Sequence, residues 1–316
     1  MISAFVDAGG TVRSTSSAVA DAFWIDIWNP DEAEREAVQR AANIQLPQKV
    51  RLRLIEPSSH FGSSSSQVDL AFSAVADDPV APVEPITCVL TDNCLITLRS
   101  GAQSAVEDAM QTIRAAPPMA ADEVLTALIG ATVQAASERL FMLVEQVDAL
   151  TASIFEHQDG HRRAAPELRQ SMRIIGALGT SIMRVEDSLV SLKHLSAFME
   201  REHARFEVRK ADRAELVAFH IDVDALSSRA EALNEKVHFL LSAMLGVIGH
   251  DQNQITMVLS LIAALFLPAT LIAAIFGMNF SDMPGLKWHH GFFICLGIMV
   301  TAAGSMAAYF RWRRWL

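Results

Sequence analysis

Two long apolar runs without a charged residue lie at the C-terminal end of this 316-residue chain. They are Ile255–Met278 and Gly291–Phe310. At about 1.5 Å of rise per residue they form helices of about 36 and 30 Å, enough to cross the hydrocarbon core of a bilayer. Helices in soluble cores seldom stay uncharged over about 18 residues. The sequence therefore predicts a C-terminal transmembrane hairpin and no span before His250.

The charges around the two runs predict the orientation of the hairpin. Three arginines follow the second run, in Arg311–Leu316, whereas Asn279–His290 contains one lysine, one aspartate and two histidines. Because positive residues concentrate on the cytoplasmic side of a membrane, the C-terminus is predicted to be cytoplasmic. Two spans return the chain to the side on which it started. We therefore expect a multi-pass protein of the cell inner membrane, with both termini cytoplasmic and residues 279–290 as an external loop.

Most charged residues lie outside the predicted hairpin. Residues 1–254 contain 35 of the 36 Asp and Glu and 22 of the 26 Lys and Arg, a net charge of −13. This balance argues against a nucleic-acid partner and is compatible with cation binding. The sequence has no P-loop, nucleophile elbow, His-Glu-x-x-His or paired-cysteine motif, so we predict neither an enzyme nor catalytic residues.

The sequence changes character twice along the chain. Residues 1–118 alternate short apolar runs with turn-forming segments and predict an N-terminal α/β domain. Residues 119–254 are rich in helix formers and predict a helical domain that includes a long stalk helix, before the transmembrane domain at 255–316. The fold predicted overall is an α+β cytoplasmic domain with a stalk helix and a two-helix transmembrane hairpin. The individual elements expected are strands at 22–28, 50–55, 86–90 and 94–98, the last two as a hairpin, and helices at 33–42, 121–157, 167–199 and 206–278.

The stalk helix carries an apolar stripe with heptad spacing. Its members alternate in steps of four and three residues: Phe219, Val223, Leu226, Ala230, Leu233, Val237, Leu240, Met244 and Val247. Such a stripe predicts a helix packed along its length against other helices. Two arrangements stay open, a helix packed on its own domain or a parallel bundle of stalks from several copies of the chain.

Small and polar residues form a second stripe along the first predicted span. Its members also alternate in steps of three and four: Asn253, Thr256, Ser260, Ala263, Leu267, Thr270, Ala274 and Gly277. We interpret this polar stripe as a continuation of the heptad stripe. Small and polar residues on one face indicate either close packing between helices or a wetted surface. In a chain with two spans, a wetted surface requires several copies around a pore.

The sequence around the end of the first span resembles the CorA family of divalent-cation transporters. The resemblance lies in Asp251-Gln252-Asn253, Phe266–Ile272, Phe276-Gly277-Met278-Asn279-Phe280, Met283-Pro284 and Leu286-Lys287-Trp288. Gly-Met-Asn alone is a weak signal. Between two terminal spans, and before Met-Pro-x-Leu-Lys-Trp, it is specific. Weaker similarity extends along the rest of the chain.

The resemblance implies a funnel-shaped homopentamer in which five first spans line a pore and five second spans surround them. Gly277, Met278 and Asn279 would form the selectivity filter at its entrance. The pore-lining positions indicated by the resemblance and the polar stripe are Asn253, Thr256, Leu259, Ala263, Leu267, Thr270 and Ala274. Because Mg²⁺ releases its water reluctantly, a ring of neutral amide oxygens would recognise the hydrated ion. Leu259 and Leu267 would be constrictions that gate the pore by dewetting.

The resemblance also implies transport of Mg²⁺, and of Co²⁺ and Ni²⁺, into the cytoplasm. The membrane potential would favour entry of a dication by about 4.6 kcal/mol at 100 mV. Family members are closed by intracellular Mg²⁺ bound to carboxylates, so Mg²⁺ would be both transported and regulatory. The candidate regulatory acids, near the start of the stalk, are Asp212, Glu215, Asp222 and Asp224.

The predicted external loop departs from the family pattern in two ways. Position 285 is glycine where the family often has glutamate, which leaves Asp282 as the only acid of the loop, beside Lys287. The loop also ends in His289-His290, and imidazoles suit Zn²⁺, Ni²⁺ or Co²⁺ better than Mg²⁺. A Zn²⁺ transporter of the related ZntB type, with or without proton coupling, is therefore the alternative. A membrane-tethered scaffold without transport is the third interpretation, against which the polar stripe argues.

Overall fold

The computed structural model describes residues 1–7, 12–15, 21–47, 61–63, 67–76, 81, 83–101, 103–116, 120–155, 165–202, 210–278 and 289–313. The chain separates into two compact units, Met1–Leu241 and Ser242–Leu316. The division between them falls inside one long helix. The domain limits predicted at residues 118 and 254 stay predictions.

The first unit begins with a mixed β-sheet. Its described strands are β1 (Ile2–Asp7), β2 (Val12–Thr15), β3 (Trp24–Trp28), β4 (Gly62–Ser63), β5 (Val68–Ala74), β6 (Glu84–Leu90) and β7 (Leu95–Arg99). Their order across the sheet is β2-β1-β3-β7-β6-β5-β4. The central pair β3–β7 is parallel, and the other described pairs are antiparallel. Such a mixed sheet followed by helices is an α+β arrangement.

Three of the predicted strands are confirmed. They correspond to β3, β6 and β7, and β6 and β7 form the expected hairpin, with Leu90 opposite Leu95. The strand predicted at 50–55 lies outside the described residues. The sequence patterning missed β1, β2, β4, β5 and the helix α2 (Ser104–Ala115). Strand β5 is buried along nearly its whole length, so it lacks the alternation of apolar and polar residues that marks a half-exposed strand.

Helix α1 (Glu32–Ala42) confirms the helix predicted at 33–42 and begins at a capping box. The Glu34 amide donates to Asp31 Oδ1 at 2.7 Å, and the Asp31 amide donates to Glu34 Oε2 at 3.2 Å. These two bonds satisfy amide groups that a helix start otherwise leaves unpaired. The buried Val38 of α1 joins the apolar core that covers the central strands.

The parallel strands β3 and β7 hold a buried polar network on the face of the sheet opposite this core. Arg99 Nη2 lies 3.0 Å from Asp26 Oδ2. Thr97 Oγ1 donates to Asp26 Oδ1 at 2.7 Å and accepts from Trp24 Nε1 at 3.1 Å. Because each buried charge is both paired and hydrogen-bonded, the interior tolerates the network.

Three long helices follow α2, and a fourth ends the chain. They are α3 (Ala121–Phe155), α4 (Ala165–Glu202), α5 (Lys210–Phe276) and α6 (Gly291–Trp312). The predicted helices at 121–157, 167–199 and 206–278 are confirmed as α3, α4 and α5, with ends that differ by a few residues. Helix α4 is tied to the sheet through Ser188 Oγ, which donates to Ser73 O at 2.7 Å.

The heptad stripe of α5 is largely buried within its own chain. Seven of its nine residues are buried; the exceptions are the half-buried Leu226 and Val247, which is 46% exposed. Helix α4 contacts this part of α5 through Ser196 and His220, with Oγ to Nδ1 at 2.9 Å. Beside the stripe, helix α3 contacts α5 through the stacked rings of Phe155 and the exposed Phe239. The predicted packing against other helices is confirmed. Of the two arrangements left open, packing on its own domain accounts for this stripe.

Within the described residues, three helices are long and apolar enough to cross a membrane, by length and composition alone: α3, the Val217–Phe276 part of α5, and α6. The prediction that no segment before His250 reaches this threshold is therefore wrong. In α3 the apolar side chains form the core of the first unit, as at Leu125, Leu128 and Leu140, each at most 1% exposed. The most apolar 18-residue window of α3 is 33% buried, whereas the windows of α5 and α6 are 6% and 0% buried. Composition alone does not distinguish α3 from the candidate spans in α5 and α6, whereas burial does.

Candidate ion pathway

The hydroxyl groups of the polar stripe donate hydrogen bonds to carbonyl oxygens of α5 itself. Thr256 Oγ1 donates to Gln252 O at 2.9 Å, Ser260 Oγ to Thr256 O at 2.7 Å, and Thr270 Oγ1 to Phe266 O at 2.8 Å. Each hydroxyl proton is thus used on a carbonyl of the preceding turn. The remaining lone pairs point away from the helix and can accept hydrogen bonds from water.

Every member of the polar stripe is exposed in the single chain. The adjacent Leu259 and the stripe member Leu267 are 62% and 71% exposed. The half-buried residues of this part of α5 are Leu261, Ala264, Leu265, Pro268, Ala269, Ile272 and Phe276. At about 100° per residue, the centre of this half-buried set lies about 160° around the helix from the centre of the polar stripe. The polar stripe therefore lies on the side of α5 that the described part of the chain leaves open.

The polar stripe does not continue the buried heptad stripe. From Val247 to Asn253 is six residues, which breaks the alternation of fours and threes. Counted backwards from Asn253, the alternation instead runs through Gly249, Gly246, Ser242, Phe239, Glu235, Ala232, Ser228, Ala225 and Ile221. These positions are exposed, or half-exposed at Gly249. The interpretation of one continuous stripe was therefore wrong: α5 carries one heptad stripe that its own chain covers and a second, open stripe from Ile221 to Gly277.

The end of α5 positions the first two residues of the Gly-Met-Asn motif. The helix closes with bonds from the Gly277 amide to Ala273 O at 2.9 Å and from the Met278 amide to Ile275 O at 3.3 Å. A Cβ at Gly277 would lie 3.1 Å from Ala273 O, a tighter approach than side chains usually make. A residue without a side chain therefore fits this last turn best. Asn279, Asp282 and Lys287 lie outside the described residues.

The paired histidines stand at the start of α6. His290 is the N-cap position, and its carbonyl accepts from the Ile294 amide at 3.1 Å. The rings of His289 and His290 are exposed, and their centroids are 5.0 Å apart. Within the described part of the chain, no three His, Cys, Asp or Glu side chains converge as a metal site.

The structure describes the side chains of two of the four candidate regulatory acids. The side chains of Asp212 and Glu215 are outside the described set, and Asp222 is exposed. Asp224 pairs with Lys193 of α4 at 2.6 Å and lies 3.6 Å from His220 Nε2. The hydrogen bond from Lys193 lowers the pKa of Asp224. Because its carboxylate already has a cation, Asp224 is less suited than the exposed Asp222 to bind Mg²⁺.

Sequence patterning missed an acidic cleft between α4 and α5. The cleft has a volume of about 460 Å³ and is lined by Glu186, Val190, Ser227, Glu231, Asn234 and Glu235. Burial, and then repulsion by Glu231 and Asp187, raises the pKa of Glu186. Glu186 and Glu231 lie on different helices, so no local sequence motif predicts that they are close together. The packing of α5 on α4 brings them together.

The acidic cleft predicts a pH-dependent stability. With its pKa raised above the ordinary 4.5, folded Glu186 binds a proton more tightly than the unfolded chain does, so this stabilisation is present below pH 4.5 and is lost as pH rises through the raised value. We expect Glu186→Gln, which carries no charge, to be more stable than wild type at pH 7 by at most about 1 kcal/mol, after solvent screening.

Thermal unfolding between pH 4 and 7 measures this effect. The matched control is Glu200→Gln, an exposed acid on the same helix. If the stability of Glu186→Gln depends on pH as that of wild type does, the charge of Glu186 does not destabilise the folded protein.

The distribution of polar and apolar residues on α5 agrees with a sequence match over nearly the whole chain. Residues 20–314 match the family model of CorA-like Mg²⁺ transporter proteins. The chain belongs to this family. The resemblance inferred from the Gly-Met-Asn region is thereby confirmed, and the family is one of transporters rather than enzymes.

Individual relatives agree with the CorA assignment in sequence and in fold. A magnesium transport protein CorA of Haemophilus ducreyi is 29% identical over 300 residues, which cover 94% of this chain and 92% of that protein. The CorA magnesium transporter from Methanocaldococcus jannaschii is similar in structure, with a TM-score of 0.77 and 16% identity over 100% of this chain and 99% of that chain. The predicted CorA-like fold of one chain is confirmed.

A second solved structure is similar to a large part of this chain. This structure is the cytoplasmic domain of ZntB from Vibrio parahaemolyticus. The match covers 79% of this chain and 97% of the ZntB chain, with a TM-score of 0.54 and 10% identity. At these low sequence identities the structural matches show the fold alone. The choice of ion therefore rests on the residues of this chain.

Proposed function

We propose that this protein is a channel-like transporter that moves hydrated divalent cations, Mg²⁺ first, through a pore between several copies of α5. The observation that carries the proposal is the open polar stripe, which lies opposite the half-buried face of the same helix. A helix used only as an anchor has no need of such a stripe. Family membership supports the same function.

The proposed assembly is a homopentamer with α5 nearest the axis and α6 outside it. Alternating steps of four and three are the spacing at which neighbouring helices stay in contact over a long distance. The open stripe keeps this spacing from Ile221 to Gly277, so copies of α5 can meet along it. We place both termini in the cytoplasm and residues 279–290 outside, as the arginines after α6 indicate.

The chemistry of the stripe suits an ion that keeps its water. Asn253, Thr256 and Thr270 offer neutral oxygens, and the stripe between Asn253 and Gly277 contains no carboxylate. Direct carboxylate ligands would hold a hard dication tightly, whereas conduction needs binding weak enough for release. Mg²⁺ gives up its hydration shell reluctantly, so neutral acceptors around the hydrated ion match its chemistry.

Filter and gate are assigned along the same helix. Gly277, Met278 and Asn279 form the proposed selectivity filter, with the Asn279 amide as acceptor. Leu259 and Leu267 are the proposed constrictions, and Ala263 and Ala274 leave room for water beside them. Co²⁺ and Ni²⁺ are further proposed substrates, and the membrane potential drives inward flux.

We also propose that intracellular Mg²⁺ regulates the transporter. We retain Asp212, Glu215 and Asp222 as candidate ligands. For Asp224 we propose a smaller role, because Lys193 already occupies its carboxylate. Binding of Mg²⁺ to the closed assembly would raise its thermal stability at millimolar Mg²⁺ and lower its flux.

Reconstitution in liposomes tests the central proposal. Purified protein should take up Mg²⁺ into dye-loaded vesicles faster than protein-free vesicles do, and an inside-negative potential should accelerate uptake. The mass of the detergent-solubilised assembly should be about five times the 34.5-kDa chain. Vesicles that contain folded, inserted protein but show no flux would favour the scaffold interpretation.

Zn²⁺ transport is the second candidate, and the adjacent exposed rings of His289 and His290 favour it. We expect the double substitution His289→Ala, His290→Ala to lower Zn²⁺ flux about fivefold and to leave Mg²⁺ flux within about twofold, because imidazole binds Zn²⁺ far better than Mg²⁺. The measurement is vesicle flux of each ion with and without a proton gradient. The control is His250→Ala, another exposed histidine of the second unit. Proton-dependent Zn²⁺ flux without Mg²⁺ flux would overturn the first choice.

A further inference from the structure

The end of α6 combines an exposed aromatic pair with two exposed arginines. Tyr309 and Trp312 are 46% and 78% exposed, and their ring centroids are 6.3 Å apart. Phe310, between them in sequence, is 6% exposed and therefore lies on the covered side of the helix. Within the described residues, neither Arg311 nor Arg313 has an ion-pair or hydrogen-bond partner for its side chain.

The helix before this cluster is suited to contact with lipid tails. No charged side chain occurs in Gly291–Phe310. Its outward side chains include Phe292, Phe293 and Val300, which are 73%, 68% and 65% exposed. If α6 crosses the bilayer as proposed above, the first charges after the apolar run lie at the depth of the lipid phosphates. The inference that follows rests on this insertion.

No acidic side chain lies near these arginines in sequence. Between residues 255 and 316 the only acid is Asp282, which precedes α6, whereas Arg311, Arg313 and Arg314 follow its apolar run. A guanidinium group can donate two hydrogen bonds to one phosphate. Tyr and Trp side chains settle at the same level of the membrane, with the ring among the upper carbons and the polar atom toward the headgroups.

We propose that the Tyr309–Arg313 end of α6 binds the headgroup of an anionic phospholipid. Arg313 donates to the phosphate of a lipid whose glycerol and first acyl carbons contact the Tyr309 and Trp312 rings, and the charge of Arg311, on another face of the helix, adds to the attraction. Charge complementarity selects this partner, because a zwitterionic headgroup carries a cationic ammonium group that offsets its phosphate. An anionic headgroup leaves the phosphate charge uncompensated, so each arginine favours it by about fivefold in affinity.

The test compares two lipids with identical acyl chains. Full-length protein in detergent is titrated with phosphatidylglycerol or phosphatidylcholine, and bound lipid is counted by native mass spectrometry. The variant is Arg311→Gln, Arg313→Gln. The matched control, Arg173→Gln, Arg229→Gln, removes two exposed arginines from α4 and α5. We expect the first pair of substitutions to lower phosphatidylglycerol affinity about 25-fold and phosphatidylcholine affinity less than twofold. The control should change neither.

Three results would overturn the proposal: equal binding of the two lipids by wild type, unchanged phosphatidylglycerol binding by the double variant, or displacement of the lipid by inorganic phosphate at comparable concentration. The last would indicate a site for free anions. Should the double variant not fold, each single variant is expected to lose about fivefold on its own. Retention of the protein in membranes after an alkaline wash tests insertion separately, so failure of lipid binding and failure of the membrane assignment are distinguishable.

Discussion

Replacing Asn279 by alanine is expected to lower Mg²⁺ flux at least about 100-fold. In the proposed pentamer the substitution removes five amide oxygens from the pore entrance at once. Hydrogen bonds that involve a charged group are worth about 1.5–3 kcal/mol each, and the waters around a dication are strongly polarised donors. Loss of two such bonds at the entry step already accounts for a factor of about 100 in rate. Vesicle uptake with a Mg²⁺-sensitive dye measures the effect.

Two further substitutions make the Asn279 experiment specific. Met257→Leu, at an exposed position of α5 outside the polar stripe and the filter, conserves side-chain volume and should leave flux within about twofold. Asn279→Asp replaces amides by carboxylates, so we expect tighter Mg²⁺ binding together with lower flux, since release becomes slow. Wild-type Mg²⁺ flux in Asn279→Ala would show that the amide is not the filter, even if the family assignment stands.

The long helices were predictable from sequence because their signals are local. Both ends of α5 fall within a few residues of the predicted limits, and the uncharged length of the two runs alone identifies the candidate spans. The Gly-Met-Asn motif lies in the short segment between those runs. Each of these features depends on neighbours along the chain rather than on tertiary contacts.

The side of α5 that faces its own chain was not predictable from spacing. Phe219 and Ile221 begin two stripes with the same alternation of fours and threes, two residues apart. Tertiary packing distinguishes them: Val237 is buried, whereas Glu235 and Phe239 of the other stripe are exposed. Side-chain size held a usable signal, because the buried stripe has mostly large apolar residues and the open one mostly small residues.

Composition likewise failed where burial decides the environment. Helix α3 has the apolar content of a membrane span, yet its apolar residues form the core of the first unit. The proximity of Glu186 and Glu231 depends on how α4 packs against α5. In both cases the sequence contains the residues but not the contacts that give them their role.

The open stripe makes a second strong prediction, at Ala263. Replacing Ala263 by lysine is expected to lower divalent-cation flux more than about 100-fold. At a separation of about 8 Å and an effective dielectric constant of about 20, one lysine raises the energy of a dication by about 4 kcal/mol, and every copy contributes one. Because the stripe is predicted to face water, the lysine can stay hydrated there and the protein should still assemble. Flux and the mass of the assembly are measured together.

Matched substitutions separate pore block from a general defect. Ala263→Ser adds a neutral hydroxyl at the same position and should keep flux within about twofold. Ala273→Leu enlarges an exposed alanine away from the stripe and should do the same. If the stripe faces water, the Ala263→Lys protein assembles but does not conduct divalent cations. Normal flux in Ala263→Lys would place the ion pathway elsewhere, whereas failed insertion would indicate that this face of α5 meets lipid or tightly packed helices, because a lysine there costs about 2.5–3.5 kcal/mol.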